Sequence, residues 1–458
     1  MVKKEWIDKG FVDEPIAKEL DLKSEIRELC RKKNAVIMAH YYTEGIIQDL
    51  ADFVGDSLAL AQKAAKTEAD IIVMCGVHFM GETNKILCPD KKVLVPDLNA
   101  TCSLAESCPA DEFSRFVSAH PGHTVISYVN TTAATKAVTD VVVTSSNARQ
   151  IVESFPSDEK IIFGPDRNLG NYINSVTGRD MLLWDGACHV HEKFSVEKIL
   201  ELKKSHPEAK VLAHPECKGA VLKLADVVGS TAALLKYAIR HEGKEFIVAT
   251  ESGILHEMQK ACPEKTFIPA PPDDSTCACN ECNYMRLITL EKLYNTLKYE
   301  WPEIVVDAEV AEKAVKPIHR MLEISEVRIV MKRLKTFTDE RGSLTVAETG
   351  KDLPFEVKRA YWIYGVPEGH ERGKHANRIT YQYLVAVRGC VTITLEDKDG
   401  RRTYVLDAPD KGLLIPPLTW NELLHFSEDA VLLVLSSQPY RPEMYINSYE
   451  EFLRMIHE

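Results

Sequence analysis

Three segments among the first 300 residues end in the same arrangement of polar side chains. In each, a short apolar run is followed by two polar residues at positions i and i+2: His40 and Tyr42, Tyr128 and Asn130, His214 and Glu216. Residues i and i+2 of a strand point to the same side, so each pair can be presented together at a strand end. Imidazole, phenol and carboxylate groups are the usual carriers of protons in catalysis. The repetition favours one site that is built from three strand ends.

Two further positions repeat behind these pairs. An aspartate lies 12 residues after the first member of each pair, at Asp52, Asp140 and Asp226. A hydroxyl lies five residues after each aspartate, at Ser57, Ser145 and Thr231. We expect each hydroxyl to open a helix, where free backbone N–H groups and the helix dipole attract carboxylate or phosphate. Three such ends suit a small substrate with several negative charges, while capping is the ordinary explanation of any one of them.

One cysteine also recurs in each repeat, and thiolates are ligands of iron and zinc. Cys102, Cys188 and Cys282 lie 62, 60 and 68 residues after the first member of the preceding pair. Three thiolates fit an iron–sulfur cube with one iron free to act as a Lewis acid, or a zinc ion with an open fourth position. The run CACNEC at 277–282 is ambiguous, because its Cys279 and Cys282 are spaced as a redox pair or as half a zinc site.

The elements that must position these residues alternate between strands and helices. Short apolar runs at 35–40, 71–74, 124–128, 161–163, 210–213 and 246–249 are typical of buried parallel strands, and helix-like stretches separate them. The repeats start 88 and 86 residues apart, which is about one small α/β domain each. We therefore predict three homologous α/β domains, against the alternative of unrelated βα units. Ligands of such sheets bind at the carboxyl ends of the strands.

Composition limits the classes of function. The chain has 458 residues, 56 Lys and Arg against 68 Asp and Glu, and a net charge of −12, so general binding to nucleic acid or to an anionic membrane is not expected. No apolar run approaches the length of a transmembrane helix, and the opening MVKKEW lacks the apolar stretch of a signal peptide. We expect a cytoplasmic protein, whose 12 cysteines are metal ligands or bystanders rather than disulfides.

The pattern changes after about residue 325. Short β-rich runs at 359–364, 381–387, 391–395, 403–406, 412–415 and 430–435 follow one another at roughly ten-residue spacing. This spacing favours a β-sandwich or jelly roll. The chain is therefore divided into an α/β region, 1–323, and an all-β domain, 327–458. The three repeats of the first region are placed at about 20–115, 116–205 and 206–300, with further helices behind them.

The first region resembles the quinolinate synthases. The resemblance runs from about residue 20 to 323 and rests on many motifs in order: MAHYY (38–42), GDSL (55–58), CGVHFMGET (75–83), YVN (128–130), TSSNA (144–148), HPEC (214–217), GST (229–231) and CNYM (282–285). It implies three pseudo-equivalent α/β/α domains around a central [4Fe–4S] cluster. It also implies a transferase that condenses iminoaspartate with dihydroxyacetone phosphate to quinolinate, the pyridine precursor of NAD. An L-aspartate oxidase or an aspartate dehydrogenase would supply the iminoaspartate.

The resemblance carries roles to individual residues. It implies that Cys102, Cys188 and Cys282 hold the cluster, which leaves Cys277 and Cys279 as neighbours that could form a redox pair. The positions that match those binding the dicarboxylate and the phosphate are His40, Ser57, Tyr128, Asn130, Ser145, His214 and Thr231. Those that match positions of proton transfer and cyclisation are Tyr42, Glu216 and His189.

The second domain resembles the cupin-type sugar 3,4-ketoisomerases, also called WxcM-like. The matching segments are RGSL (341–344), LPF (353–355), RGKHANR (372–378), GLLIPP (412–417), Trp420 and HFS (425–427). The resemblance implies a metal-free barrel that uses the histidines of an H-A-H motif. Here the motif reads His375-Ala376-Asn377, and an amide cannot shuttle protons as imidazole does. Arg372, His375 and Tyr383 are the candidate pocket residues.

Three hypotheses follow from these resemblances. The leading one is a quinolinate synthase with a cupin that binds a ligand, regulates the enzyme or joins two chains into a homodimer. The first rival is a nucleotide-sugar isomerase whose α/β region is a degraded scaffold. The second rival is a non-enzymatic iron–sulfur sensor. Retention of the three cysteines and of every polar pair favours the first.

Overall fold

A computed structural model describes residues 2–273, 281–325, 329–349 and 352–457. It separates into two compact units. The α/β unit comprises Met1–Val152 and Glu159–Glu323, and the β unit comprises Glu153–Asp158 and Ile324–Glu458. None of the described helices is long and apolar enough to cross a membrane.

Three four-stranded parallel sheets form the α/β unit, with the same strand order in each: β2-β1-β3-β4, β6-β5-β7-β8 and β10-β9-β11-β12. The strands are β1 Ala35–His40, β2 Phe53–Gly55, β3 Ile71–Cys75, β4 Lys92–Leu94, β5 Thr124–Tyr128, β6 Val141–Val143, β7 Ile161–Gly164, β8 Leu182–Leu183, β9 Lys210–Ala213, β10 Val227–Val228, β11 Glu245–Ala249 and β12 Thr266–Pro269. The central strands β1, β5 and β9 are those that precede the polar pairs. The prediction of parallel α/β architecture is confirmed.

Helices connect the strands and cover the sheets. They are α1 Lys4–Lys9, α2 Leu22–Lys33, α3 Gly45–Leu50, α4 Ser57–Ala64, α5 His78–Leu87, α6 Ser103–Glu106, α7 Ala110–Ser118, α8 Ala133–Lys136, α9 Ala148–Glu153, α10 Arg167–Thr177, α11 Val196–Ser205, α12 Gly219–Leu222, α13 Thr231–Arg240, α14 Ile254–Ala261, α15 Leu290–Tyr299 and α16 Ala308–Ser325. Single 3-10 turns occupy His191–Lys193 and Met285–Leu287.

Two of the three repeated hydroxyls open a helix, as predicted. Ser57 and Thr231 are the first residues of α4 and α13, and the caps are the residues before them: Asp56 accepts from the N–H of Ala59, and Ser230 accepts from that of Ala233. Ser145 differs, because α9 begins only at Ala148. The turn that contains Ser145 is stabilised by Asn147, whose Oδ1 accepts from the N–H of Thr144 at 2.6 Å.

The repeated aspartates have a structural role. Oδ2 of Asp52, Asp140 and Asp226 accepts the backbone N–H of Ile37, Val125 and Val211, at 2.8 Å in each repeat. Their own N–H groups donate back to the carbonyls of the same three residues at 2.9 Å. Each aspartate therefore ties the return of the chain to the central strand of its sheet.

The β unit consists of two five-stranded antiparallel sheets and a separate hairpin, in the orders β13-β21-β18-β23-β16, β20-β19-β22-β17-β24 and β14-β15. The strands are β13 Val330–Arg333, β14 Lys335–Asp339, β15 Gly342–Val346, β16 Arg359–Tyr364, β17 Arg372–Asn377, β18 Gln382–Arg388, β19 Val391–Asp397, β20 Gly400–Leu406, β21 Lys411–Ile415, β22 Trp420–Leu424, β23 Val431–Ser436 and β24 Tyr445–Ile446, and helix α17 spans Tyr449–His457. Buried aliphatic residues such as Leu384, Ile393, Leu413 and Leu432 fill its main core. The all-antiparallel architecture agrees with the predicted cupin.

Candidate active site

The carboxyl ends of the three parallel sheets face one cavity of the α/β unit, whose empty space, measured out to the solvent at its mouth, is about 640 Å³. The structure thus brings together nearly all the residues predicted for this region. Those that line the cavity are His40, Tyr42, Ser57, Cys102, Tyr128, Asn130, Ser145, Cys188, His214, Glu216, Thr231 and Cys282.

Glu216 lies among hydrogen-bonding side chains of the cavity. Its Oε1 accepts a hydrogen bond from the hydroxyl of Tyr128 at 2.6 Å, and its Oε2 lies 3.1 Å from Nδ1 of His191. Burial by itself raises the pKa of Glu216, but His191, His214 and the Tyr128 hydroxyl outweigh burial and keep the pKa below its usual range. The carboxylate is therefore ionised at neutral pH and can accept hydrogen bonds.

The histidines that open two of the polar pairs, His40 and His214, each make the same kind of hydrogen bond to the backbone. Nδ1 of His40 accepts the N–H of Tyr42 at 3.2 Å, and Nδ1 of His214 accepts the N–H of Glu216 at 3.4 Å. Burial lowers the pKa of both imidazoles to about 3, so they are neutral. Because Nδ1 accepts, Nε2 carries the proton of each neutral ring. Both rings can therefore donate one hydrogen bond to an anionic ligand.

Tyr42 joins the first repeat to the third. Its hydroxyl lies 2.8 Å from Oγ1 of Thr231 and 2.9 Å from Oγ1 of Thr250. Burial, with the charge of Glu216, raises the pKa of Tyr42 well above its ordinary value. The phenol is therefore protonated and can donate a hydrogen bond.

His189, predicted for proton transfer, does not line this cavity. Its Nδ1 lies 2.7 Å from Oγ of Ser103, and its ring meets that of Tyr284 edge-on. The neighbouring His191 lines the cavity instead: it is 2 % exposed, and its Nε2 lies 3.0 Å from Oγ1 of Thr250. The one sequence signal for His191 is its position three residues after Cys188, a candidate metal ligand.

Several other lining residues were not predicted: Asp56, Val77, Phe79, Met80, Thr144, Val190, Glu251 and Met285. Their apolar members exclude water from the same space that the polar pairs and the thiols face. Single apolar residues carry no sequence signal that separates a cavity wall from a core.

The three cysteines share one local geometry. Burial raises the pKa of all three thiols, to about 12 for Cys102 and about 11 for Cys282, and well above the ordinary value for Cys188. Backbone N–H groups work against burial, because the amide three residues after each cysteine, at Ala105, His191 and Met285, donates to its sulfur. Such N–H···S bonds favour thiolates and are a feature of iron–sulfur ligation. The donor set therefore fits a thiolate-bound metal centre.

Two buried acids hold the loops that carry two of these cysteines. The N–H of Cys188 donates to Oδ2 of Asp166 at 2.9 Å, and the N–H of Cys282 donates to Oε1 of Glu251 at 3.0 Å. Asp166 and Glu251 occupy the same position in their repeats, two residues after the ends of β7 and β11. The first repeat has Val77 there. Sequence analysis missed both acids.

A second candidate donor set overlaps the first. One ligand atom each from Cys188, His191 and Glu216 lies within 4.8 Å of the others, which would suit a single metal ion. Cys277 and Cys279 lie outside the described residues, so their predicted pairing is not tested. The described cysteines form no disulfide.

In the β unit, one connected polar group surrounds the altered motif. Nδ2 of Asn377 donates to Gln382, whose Nε2 donates to the Tyr361 hydroxyl at 2.9 Å. Arg359 stacks on the Tyr361 ring at 4.9 Å and donates to the hydroxyl of Tyr445. The ring of His375 lies 4.9 Å from that of Tyr445.

The other two predicted pocket residues of the β unit lie elsewhere. Arg372 is an exposed residue of β17. Tyr383 points away from the core between the sheets and packs on Leu334, Leu353 and Phe355. Its hydroxyl touches the backbone of Gly412, where a Cβ would lie 2.0 Å from it. The expected cluster of Arg372, His375 and Tyr383 is therefore corrected to His375 with Asn377, Gln382 and Arg359.

Comparisons with known proteins match the two units separately. The family described as "Quinolinate synthetase A protein" matches residues 24–323, and "WxcM-like, C-terminal" matches 327–457. The quinolinate synthase of Microcystis aeruginosa is 58 % identical over 305 residues, which cover 67 % of this chain and 95 % of that protein. The quinolinate synthase of Chloroherpeton thalassium is 56 % identical over 308 residues, which cover 67 % and 96 %.

Solved structures match the second unit. A 3,4-ketoisomerase from Helicobacter canadensis is 37 % identical and covers 29 % of this chain and 100 % of its own, with a TM-score of 0.28. A sugar 3,4-ketoisomerase from Thermoanaerobacterium thermosaccharolyticum, solved in complex with TDP, is 35 % identical and covers 28 % and 94 %, with a TM-score of 0.28.

Proposed function

Because this chain belongs to the quinolinate synthase family, a family of enzymes of NAD biosynthesis, we propose that it condenses iminoaspartate with dihydroxyacetone phosphate. The products are quinolinate, phosphate and two waters. The observation that carries the proposal is the convergence of three polar pairs and three thiols on one cavity. Both substrates are small anions, which agrees with neutral Nε2–H donors and helix N-termini facing that space.

Substrate binding is assigned to the residues that can donate to carboxylate or phosphate oxygens. They are His40, Ser57, Tyr128, Asn130, Ser145, His214 and Thr231. Ser57 and Thr231 each add the free N–H groups at the start of a helix, and burial of the two histidines keeps them as neutral donors. The carbon skeletons of the substrates are uncharged, and the apolar wall of Val77, Phe79 and Met80 is available to contact them.

Proton transfer is assigned to Glu216 and Tyr42. The ionised carboxylate of Glu216 accepts a proton, and the hydroxyl of Tyr42 donates one. We give the supporting imidazole role to His191 rather than to His189, because His191 lies against Oε2 of Glu216 while His189 is bonded to Ser103. Dehydration and ring closure both require such an acid–base pair.

Cys102, Cys188 and Cys282 are assigned as ligands of a [4Fe–4S] cluster. Their convergence on one cavity from three separate repeats and the membership of the quinolinate synthase family support this assignment. When bound, a cluster with one iron lacking a protein ligand supplies a Lewis acid for the loss of hydroxide. The chain's own residues then orient the substrates and hold the protons at Glu216 and Tyr42.

The test is an anaerobic assay of the reconstituted full chain. Quinolinate formed from iminoaspartate and dihydroxyacetone phosphate is measured for the wild type, Cys188→Ala and Cys262→Ala. Cys262→Ala is the control, because Cys262 is a buried cysteine at the C-terminal end of α14. We expect quinolinate from the wild type and the control only. A [4Fe–4S] spectrum without quinolinate would contradict the synthase and favour a sensor. Iron-free, zinc-loaded activity would contradict the cluster.

For the β unit we propose a ligand-binding role without isomerase activity. The observation that favours binding is a set of buried polar atoms, Nε of Arg359, Nε2 of His375 and Oδ1 of Asn377, which have no hydrogen-bond partner within the described residues. The rival is nucleotide-sugar 3,4-ketoisomerase activity. Incubating the full chain with TDP-4-keto-6-deoxyglucose separates the two: we expect a thermal shift and no isomerised sugar, and Asn377→His tests whether the missing imidazole is the reason.

We also propose that the β unit joins two chains into a homodimer. The hairpin β14–β15 exposes Phe337 and Leu344 opposite each other, and the edge strand β16 exposes Trp362 and Tyr364. Exposed apolar side chains on an unpaired edge favour pairing with another chain. Light scattering of wild type and Trp362→Lys tests this, and a monomeric wild type would contradict it.

Since iminoaspartate hydrolyses in water, its supply is assigned to an L-aspartate oxidase or an aspartate dehydrogenase.

A further inference from the structure

A buried side-chain donor recurs eight residues after the first member of two polar pairs. Gln48 lies eight residues after His40, and Lys136 lies eight residues after Tyr128. Nε2 of Gln48 donates to the carbonyls of Tyr41 at 3.0 Å and Thr43 at 2.7 Å. The donor therefore links the carbonyls of the residues before and after Tyr42, and it also donates to the carbonyl of Gly253 at 3.0 Å.

Lys136 makes the equivalent contacts in the second repeat. Its Nζ donates to the carbonyls of Val129 at 2.8 Å and Thr131 at 2.5 Å, on either side of Asn130. In both turns a threonine hydroxyl closes the same loop: Thr131 donates to the carbonyl of Tyr128 at 2.9 Å, as Thr43 does to that of His40. The two turns are thus held in the same way by an amide in one repeat and an ammonium in the other.

Both donors are buried, at 1 % exposed for Gln48 and 0 % for Lys136. A fully buried lysine is rare and costs stability unless its charge is paired or well hydrogen-bonded. The presence of Lys136 at this position therefore indicates a specific role. Oε1 of Gln48 has no hydrogen-bond partner among the residues described, so the amide acts here as a donor. The third repeat has Leu222 at this position, and Nδ2 of Asn168 holds the carbonyl of Glu216 instead.

We propose that Gln48 and Lys136 are positioning residues, which fix the backbone of the turns so that Tyr42 and Asn130 point into the cavity. This inference rests on the proposed function of those two side chains. Holding the carbonyls of the residues before and after a residue restrains the backbone of the turn between them, and hence the direction of that residue's Cα–Cβ bond. Neither Gln48 nor Lys136 lines the cavity, so each acts through its neighbour.

The charge of Lys136 offers a competing explanation, because both substrates are anions. Its Nζ is turned toward two carbonyls and lies 5.4 Å from the ring centre of Phe79, which forms part of the cavity wall. If the hydrogen bonds are required, glutamine can replace the lysine, since Gln48 makes the equivalent hydrogen bonds in the first repeat. If the charge matters, glutamine cannot.

The experiment compares Lys136→Gln with Lys136→Met, and adds Gln48→Met for the first repeat. Lys265→Met is the matched control, because Lys265 also donates to backbone carbonyls, those of Ala238 and His241, and also lies over a phenylalanine ring. Gln259→Met is the control for Gln48, since Gln259 donates to the carbonyls of Cys262, Pro263 and Lys265. For each reconstituted full chain, kcat, KM for both substrates, iron per chain and Tm are measured.

We expect Lys136→Met and Gln48→Met to raise KM or lower kcat about 10-fold or more, with iron per chain as in the wild type. Lys136→Gln should stay within about threefold of wild type. The two controls should lower Tm alone. Equal losses for Lys136→Gln and Lys136→Met would overturn the proposal in favour of the charge, and kinetic constants unchanged in Lys136→Met would reduce the residue to a structural one.

A second readout does not depend on activity. Hydrogen–deuterium exchange of peptides that cover 128–132 should be faster in Lys136→Met than in the wild type or in Lys136→Gln, and unchanged in Lys265→Met. Unchanged exchange in Lys136→Met would overturn the proposal. A wild type without quinolinate but with this exchange pattern would contradict the proposed function and leave the fixed turn established.

Discussion

The hydroxyl of Tyr128 donates a 2.6 Å hydrogen bond to the carboxylate of Glu216, and this bond joins the strand ends of the second and third repeats. Both side chains are buried, with 4 % of each residue exposed. Burial, together with the charge of Glu216, raises the pKa of Tyr128 well above its ordinary value. The phenol therefore stays protonated and donates a hydrogen bond. The pair therefore fixes the orientation of the acid that we assign to proton transfer.

Tyr128→Phe removes this donor without changing the shape of the ring. We expect kcat to fall about 10²-fold, because the carboxylate loses its orientation and a substrate contact is lost as well. Anaerobic quinolinate formation measures the effect, and iron per chain shows that the centre is intact. Tyr237→Phe, in the apolar core behind the third sheet, is the control and should keep wild-type kinetics. Equal kcat in Tyr128→Phe and the wild type would contradict the role of the pair.

The sequence predicted the polar pairs because period-2 geometry places residues i and i+2 on one side of a strand, and parallel topology gathers strand ends. It predicted less well what depends on the turn after a strand. His189 and His191 are both polar and close to Cys188, and only the 3-10 turn at His191–Lys193 decides that His191 meets Glu216. Asp166 and Glu251 were missed because each acts on the backbone of a cysteine far along the chain.

In the β unit the strands were predicted from their spacing. The prediction of pocket residues did not consider which side chains of β18 point to the same face of the sheet. Leu384 and Ala386 belong to the core between the sheets, whereas Tyr383 and Val385 face a second cluster. Alternation along the strand therefore separates Tyr383 from Gln382, which bonds to Asn377. A period-2 count over residues 382–386 would have placed Tyr383 outside the pocket.

The repeated aspartates should contribute to stability rather than to catalysis. Asp140→Ala removes the acceptor of the Val125 N–H, and we expect a loss of about 1–2 kcal/mol, while Asp140→Asn keeps an oxygen acceptor and should lose less. The Tm of the α/β unit measures this. Asp90→Ala, at an exposed turn, is the control. A kinetic loss in Asp140→Ala at unchanged Tm would contradict the structural role.

Asp166 should matter for both stability and the metal centre. Its Oδ1 caps α10 through the N–H groups of Asn168 and Leu169, and its Oδ2 holds the N–H of Cys188. Asp166→Ala should therefore cost about 1–2 kcal/mol for the cap and also lower iron per chain. Asp21→Ala, which removes the cap of α2, should lower stability without iron loss. Equal iron in the two variants would show that Asp166 acts as a cap alone.

Lys136 makes a pH-dependent contribution to stability. Burial lowers its pKa to about 8 from the ordinary 10.5. Below pH 8 both the folded and the unfolded chain carry the proton, and the folded chain bears the cost of burying it. Between pH 8 and 10.5 the folded chain releases the proton while the unfolded chain still binds it, so the contribution of Lys136 to stability rises with pH.

Lys136→Gln does not titrate at this position, and the comparison with wild type therefore isolates the lysine. We expect the Tm of the wild type minus that of Lys136→Gln to become more positive as the pH is raised from 7 to 10, because other titrating groups are common to both chains and cancel. Thermal unfolding of the two chains in parallel, under anaerobic conditions, measures the difference. A difference that is constant or falls over this range would contradict the lowered pKa, and would indicate that the two carbonyls hold Lys136 fully charged in the folded chain.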